Sequence, residues 1–234
     1  MRIRIITPVV KGVLGDDIIP SLPSFVQAEA GWLAQGPPSI ECRVDSAHAI
    51  PSLLDAVLAA AADGVDGMVL NCFLDPGIGA ARELTRVPVA VPAQSAMTLA
   101  TTLGDRFSVI LPAASGTPMV VGLADAYVGR GRLASVRSVE MAVAEMRDHK
   151  RLVAGLVEQA ERAINEDGAH VVILGCTGMC SVMKAVTTAL AHHDVPVIDP
   201  TTAAIGAVVS QLMLGVHHSG PAYALPSWRR RGND

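Results

Sequence analysis

Gly64-Val65-Asp66-Gly67-Met68-Val69-Leu70-Asn71-Cys72 and Gly168-Ala169-His170-Val171-Val172-Ile173-Leu174-Gly175-Cys176 are the two stretches whose reading decides the fold. Each starts at a glycine, contains a continuous apolar run (67–70 and 171–174) and ends on a cysteine. Continuous apolar runs of this length mark parallel strands covered on both faces, whereas a half-exposed strand would alternate. The two cysteines are 104 residues apart. Arg2-Ile3-Arg4-Ile5-Ile6-Thr7-Pro8 and Arg106-Phe107-Ser108-Val109-Ile110-Leu111-Pro112 match at the same separation of 104, and Val87-Pro88-Val89 matches Val195-Pro196-Val197 at 108. Three matches in one order at nearly one spacing describe an internal repeat.

Outward from these stretches, β-branched runs alternate with longer Ala/Leu-rich amphipathic runs. The pattern predicts strands over 2–7, 40–44, 66–71, 87–91, 106–111, 133–138, 169–174 and 195–198. It predicts helices near 22–35, 48–62, 77–85, 94–103, 116–128, 142–165, 179–192 and 201–214. Alternating elements give an α/β fold. With the repeat, they give two pseudosymmetric lobes, each a four-stranded parallel sheet flanked by helices. Residues 1–95 plus 201–234 are expected to form the first lobe and 96–200 the second, with the last helix returning to the first lobe and 216–234 a tail. Ligands of open parallel sheets bind beyond the C-terminal strand ends. The site is therefore expected in the cleft between the lobes, with one cysteine from each.

Composition narrows the partners. Half of the 234 residues are apolar and 17% are charged, which suits a packed globular chain rather than a disordered one. The net charge of −4 and an aromatic content of 3% provide neither the basic face nor the stacking platforms of a nucleic-acid binder. Arg229, Arg230 and Arg231 form the one basic cluster and read as a solvated tail. No apolar run reaches the roughly 18 residues of a membrane span. The N-terminus reads as a strand and not as a signal peptide. Four cysteines in a chain of this length do not make a disulfide scaffold. The expectation is a cytoplasmic, reduced protein with a small-molecule substrate and no nucleic-acid or membrane partner. An even-numbered homo-oligomer (dimer, tetramer or hexamer) is the default assembly.

Paired thiols suit one chemistry in particular. Inverting a carbon next to a carbonyl needs a base on one face and an acid on the other, and a pseudo-twofold cleft with one thiol per lobe provides both. A free thiol titrates near about pH 8.5, so a thiolate base needs stabilisation. Helix N-termini would give it. Asp75 and Pro76 read as N-cap and first residue of a helix after Cys72, and a helix starts near Met179 after Cys176. The bland alternative is that each cysteine is a small core residue.

At these residues the chain resembles the aspartate/glutamate/hydantoin racemase superfamily, and its hydantoin racemase branch in particular. The segments that carry the likeness are Ser39-Ile40-Glu41, Asn71-Cys72-Phe73-Leu74-Asp75-Pro76-Gly77 with Ala81-Arg82-Glu83-Leu84, Leu103-Gly104-Asp105-Arg106-Phe107-Ser108-Val109, Leu174-Gly175-Cys176-Thr177-Gly178-Met179 and Pro196-Val197-Ile198-Asp199. The resemblance implies two lobes, no metal, no pyridoxal phosphate, and Cys72 and Cys176 as the catalytic pair. Two cysteines distinguish the chain from the similar arylmalonate decarboxylases, which keep one. The chain departs from the family in two places. Thr7-Pro8-Val9-Val10 replaces a polar Asn-Pro-Asn stretch, and Gln94 stands where an acid is common. A more apolar substrate than a bare hydantoin is the expectation.

Thr7, Asn71, Phe73, Gln94, Ser95, Thr177 and Gly178 lie near predicted strand ends and are candidate substrate-binding residues. Helix capping explains Ser95 and Thr177 equally well, and Asn71 has a plain loop-bonding alternative. Cys42 is expected in a buried strand. His192, His193, His217 and His218 are expected at the surface, and Asp199 as a helix cap. Two other functions use the same residues. One is a maleate isomerase-like or decarboxylase-like enzyme with a single working cysteine, and the other is a binding protein of the same fold without turnover.

Overall fold

The computed structural model describes residues 1–12 and 19–227, so the Arg229–Arg231 cluster lies outside the described residues. Eight strands form two separate four-stranded sheets, all parallel. The first contains β1 (Arg2–Val10), β2 (Gln27–Leu33), β3 (Gly67–Leu70) and β4 (Val89–Ala90), in the order β2-β1-β3-β4. The second contains β5 (Phe107–Leu111), β6 (Leu133–Ser138), β7 (Val171–Leu174) and β8 (Val197–Ile198), in the order β6-β5-β7-β8.

The repeat read from the sequence is a repeat of register. Ile3 faces Gly67 and Ile5 faces Val69 across β1 and β3, while Phe107 faces Val171 and Val109 faces Ile173 across β5 and β7. Every residue of the second set stands 104 after its counterpart. Met68 pairs with Val89 and Val172 with Val197, so the longer spacing of the fourth strand is an insertion before it, with no slip of register.

Two elements depart from expectation. The helix predicted over 22–35 is instead the edge strand β2, and the strand predicted over 40–44 is a loop leading into α1 (Arg43–Ala62). Gln27-Ala28-Glu29-Ala30 has helical composition, but the open edge of β1 offers hydrogen bonds from Arg2 to Thr7, and pairing with it overrides propensity. Cys42 is consequently not a core residue. It is exposed at the start of α1, where its thiol and N–H both donate to Asp45.

The helices are α2 (Ile78–Leu84), α3 (Pro92–Leu103), α4 (Thr117–Tyr127), α5 (His149–Asp167), α6 (Met183–Ala189) and α7 (Pro200–Leu214), with 3-10 turns over Val143–Arg147 and Thr177–Val182. By length and composition α1 is apolar enough to cross a membrane. Here Ala49, Leu53, Val57 and Ala60 bury one of its faces against the first sheet with Met68 and Leu70. Helix α5 does the same for the second sheet through Leu152, Leu156 and Ala160.

The opposite faces are covered by an exchange. Helix α3 follows the last strand of the first sheet, yet its Ala93, Ala96, Met97 and Ala100 pack with Phe107, Val109, Val171 and Ile173 of the second. Helix α7 follows the last strand of the second sheet, and its Ala204, Ile205 and Val208 pack with Ile3, Ile5 and Val69 of the first. Asp199 caps α7 by accepting from the Thr201 and Thr202 N–H groups, as its position predicted. The described residues after α7, up to 227, pack on the first lobe in part. His218 is buried and its Nε2 accepts from the Val89 N–H at 2.8 Å, against its expected surface position. Tyr223 accepts from Arg82 through its hydroxyl and from Arg86 through its carbonyl.

The close approach of α7 to the first sheet depends on Gly67. A Cβ there would lie 2.2 Å from Val208 Cγ1. Overpacking of this kind costs about 1–3 kcal/mol. Gly67→Ala is expected to lower the melting temperature by roughly 2–4 °C per kcal/mol for a domain of this size. Adding Val208→Ala should restore part of the loss, a coupling that a thermal-denaturation double-mutant cycle measures.

Candidate active site

Each cysteine sits two residues beyond the end of an inner strand, and one hydrogen bond fixes each approach. The Asn71 N–H donates to the Ile6 carbonyl at 2.7 Å, and the Gly175 N–H donates to the Ile110 carbonyl at 2.7 Å. These are equivalent bonds in the two lobes. They carry the parallel ladder one residue past the last strand residue and release the chain at Cys72 and at Cys176.

Both cysteines line a single pocket of about 70 Å³ between the lobes. The first lobe contributes Thr7, Pro8 and Val9 from the C-terminal part of β1 and the loop Ser39, Ile40 and Glu41 before α1, together with Asn71, Phe73 and Leu74. The second contributes Leu111, Pro112, Ala113, Ser115 and Gly116 after β5, together with Val143, Gly175 and Thr177. Of the candidate residues, Thr7, Asn71, Cys72, Phe73, Cys176 and Thr177 come together here. Gly178 adjoins the pocket through its backbone, whose N–H donates to the Cys176 sulfur. Gln94 and Ser95 do not join it. They line a separate groove between α3 and α7, and Gln94 Oε1 accepts from Arg82 at 2.7 Å. Their place at the start of α3, which belongs with the second sheet, turns them away from the cysteines.

Two groups of pocket residues were not singled out from the sequence. The Leu111–Ala113 segment is the counterpart of Thr7–Val9 at the repeat spacing of 104, so the repeat itself was the available signal. Ser39-Ile40-Glu41 carries part of the family likeness, but Ile40 and Glu41 were expected to open the strand over 40–44 and none of the three was a candidate site residue. Only the turn between β2 and α1 shows that they face the pocket.

No α-helix starts directly after either cysteine, since α2 begins at Ile78 and α6 at Met183. Asp75 does not cap the helix after Cys72. It has φ 48°, and α2 starts only at Ile78 after Gly77 with φ 71°. The buried Asp75 carboxylate instead accepts from the Ala93 and Gln94 N–H groups at 3.0 and 2.9 Å, capping α3 and tying the Cys72 turn to it. Burial pushes Asp75 up to about 7 despite those bonds, a Tyr127 hydroxyl bond and nearby Arg82. Burial likewise pushes the Cys72 thiol up to about 12 and that of Cys176 to about 11. One N–H per sulfur opposes it, from Leu74 for Cys72 and from Gly178 for Cys176. These bonds are again equivalent in the two lobes. Negative charge on Cys176 raises Cys72 further, so the sulfurs are near enough for one thiolate to disfavour the other.

Two buried polar atoms of pocket-lining residues have no hydrogen-bond partner among the described residues, Thr7 Oγ1 and Asn71 Nδ2. The amide of Asn71 is oriented by the Thr201 hydroxyl, which donates to Oδ1 at 2.9 Å and leaves the Nδ2 donors unused. Thr177 spans the lobes, its hydroxyl donating to the Asn71 carbonyl at 3.4 Å. Buried donors without partners are rare in folded proteins, and at a pocket wall they mark places where a ligand makes the bond.

This geometry has known counterparts. The Asp/Glu/Hydantoin racemase family matches residues 18–208. A hydantoin racemase of Rhizobium meliloti is 35% identical over 184 residues, 78% of this chain and 74% of that protein. The allantoin racemase of Klebsiella pneumoniae superposes with a TM-score of 0.89 at 31% identity, over 97% of this chain and 94% of that one. The allantoin racemase of Pseudomonas fluorescens superposes at 0.88 with 28% identity, over 97% of both chains. The repeated fold, the twin-lobe pocket and these likenesses agree: the chain belongs to the Asp/Glu/hydantoin racemase family and is an isomerase of the racemase class.

Proposed function

We propose that the protein racemises a hydantoin-like or amino-acid-derived compound at the carbon next to a carbonyl, with Cys72 and Cys176 exchanging protons on its opposite faces. The observation that carries this reading is the placement of two thiols, at equivalent positions of two repeated lobes, on the wall of one pocket. The names of the relatives support the substrate class. The apolar character of most of the lining, from Pro8 and Val9 to Leu111 and Pro112, favours a substrate with an apolar substituent.

The chemistry follows from the lowered acidity of the two thiols. Both groups rest as thiols, and mutual repulsion keeps at least one protonated once the other ionises. That state, one thiolate facing one thiol, is the one racemisation uses. The thiolate removes the α-proton, and the electron pair of the broken C–H bond moves into the carbonyl to give a planar enolate. Asn71 Nδ2 donates to the enolate oxygen, where charge develops and a fixed donor lowers the barrier most. The opposite thiol then returns a proton to the other face. The thiol and thiolate have exchanged places at the end, which is what the reverse direction requires.

Enantiomer-resolved deuterium exchange tests the roles. Cys72→Ser and Cys176→Ser are each expected to lose racemisation by about 100-fold or more. Each should retain α-proton exchange with one enantiomer, and the two variants should prefer opposite enantiomers. Full racemisation by either variant would sink the two-base mechanism and favour a single working cysteine. Because ordinary pH leaves only a small thiolate fraction, kcat/KM should climb steadily from pH 7 to pH 9 without a plateau. A plateau below pH 8 would mean that the base is another group. Asn71→Ala should lower kcat about 10–1,000-fold with a smaller change in KM, as loss of one enolate donor does. A change confined to KM would count against that role.

A further inference from the structure

The pocket has an uneven charge. Among the described residues that line it there is no lysine, arginine or histidine, and Glu41 carries the one carboxylate. Glu41 is held in place rather than loose. Its N–H donates to Asp45 Oδ2 at 3.0 Å, and its Oε1 accepts from the Ser39 hydroxyl at 2.9 Å. Glu41 comes from the first lobe and lines the same pocket as both cysteines. Its charge disfavours a thiolate at the second lobe's Cys176.

An anionic substrate entering this space would meet a fixed negative charge, a developing thiolate and no cation to offset either. The desolvated pocket strengthens that repulsion. An N–H group, by contrast, would find in Glu41 an acceptor that complements the donor at Asn71 Nδ2. The lining is thus built for a molecule that offers a carbonyl on one side and an N–H on the other, and carries no carboxylate.

We propose that Glu41 is a specificity-determining residue that accepts an N–H of the substrate and, through its charge, disfavours anions in the pocket. This deepens the reading of the reaction above and rests on it. Closing an N-carbamoyl amino acid into a hydantoin removes the carboxylate and keeps the carbon skeleton, so the two forms of one compound isolate the effect of charge.

The experiment compares a 5-substituted hydantoin with its ring-opened N-carbamoyl amino acid, using α-proton exchange and calorimetric binding to wild type, Glu41→Gln and Glu41→Asp. Wild type is expected to bind and exchange the ring and to disfavour the anion. Glu41→Gln should narrow that preference by about tenfold or more, chiefly through the affinities, while Glu41→Asp keeps it. Folded Glu41→Gln with an unchanged preference would overturn the role of Glu41, as would a wild type that handles both forms alike. If wild type exchanges neither compound while Glu41→Gln still tightens binding of the anion, the proposed reaction fails and the charge filter stands. If neither compound exchanges and the substitution leaves both affinities unchanged, both fail.

Discussion

Two backbone hydrogen bonds, Asn71 to Ile6 and Gly175 to Ile110, hold the geometry on which everything else depends. Each ties the end of an inner strand to its central neighbour and so fixes where the chain leaves the sheet. A cysteine on a free loop would sample many positions, and proton transfer tolerates little misplacement. Here the departure point is set by the ladder itself. The next backbone contact, from the residue two positions on to the sulfur, is also the same in both lobes. The two thiols thus inherit their placement from a duplicated piece of sheet.

The lobes are not copies in every respect, and the differences lie where a substrate needs them. The residue before Cys72 is Asn71, with an amide on the pocket wall. The residue before Cys176 is Gly175, where a Cβ would lie 2.8 Å from the Ile110 carbonyl and 2.7 Å from Leu111 Cδ2. One lobe presents a polar hand and the other has no room for any side chain. The loop before α1 brings Glu41, while the corresponding side of the second lobe presents Val143 from a 3-10 turn. Twofold chemistry at the sulfurs is thereby combined with a one-sided grip on the molecule between them.

Most of the architecture was legible in the sequence because it was written twice. Apolar runs such as Val171-Val172-Ile173-Leu174 have no reading but a buried strand, and the 104-residue spacing joined them into lobes. Where one element lacked that support, composition misled. Gln27–Leu33 is rich in alanine, and only the open edge of β1 makes it a strand. The site was legible where it follows strand ends, as for Thr7, Cys72 and Cys176. It was not where chain direction decides. Gln94 stands four residues past β4 as Leu74 of the pocket stands four past β3, yet it lies in the first turn of a helix that crosses to the other sheet. The acidity of the thiols was also hidden, because Asp75 looks like a local cap and actually caps a helix 17 residues further on.

That crossing of helices has a consequence for how such a protein can be taken apart. Cut at the repeat boundary, each half would keep a helix shaped for the other half's sheet and would bare the apolar face from which its own cover had been removed. Neither fragment could hide its interior alone. Two identical fragments, however, could trade helices about a twofold axis and enclose the same kind of chamber. An ancestral half-length gene is therefore conceivable only as a swapped pair, and joining the two copies into one chain freed each wall of the chamber to change without its twin.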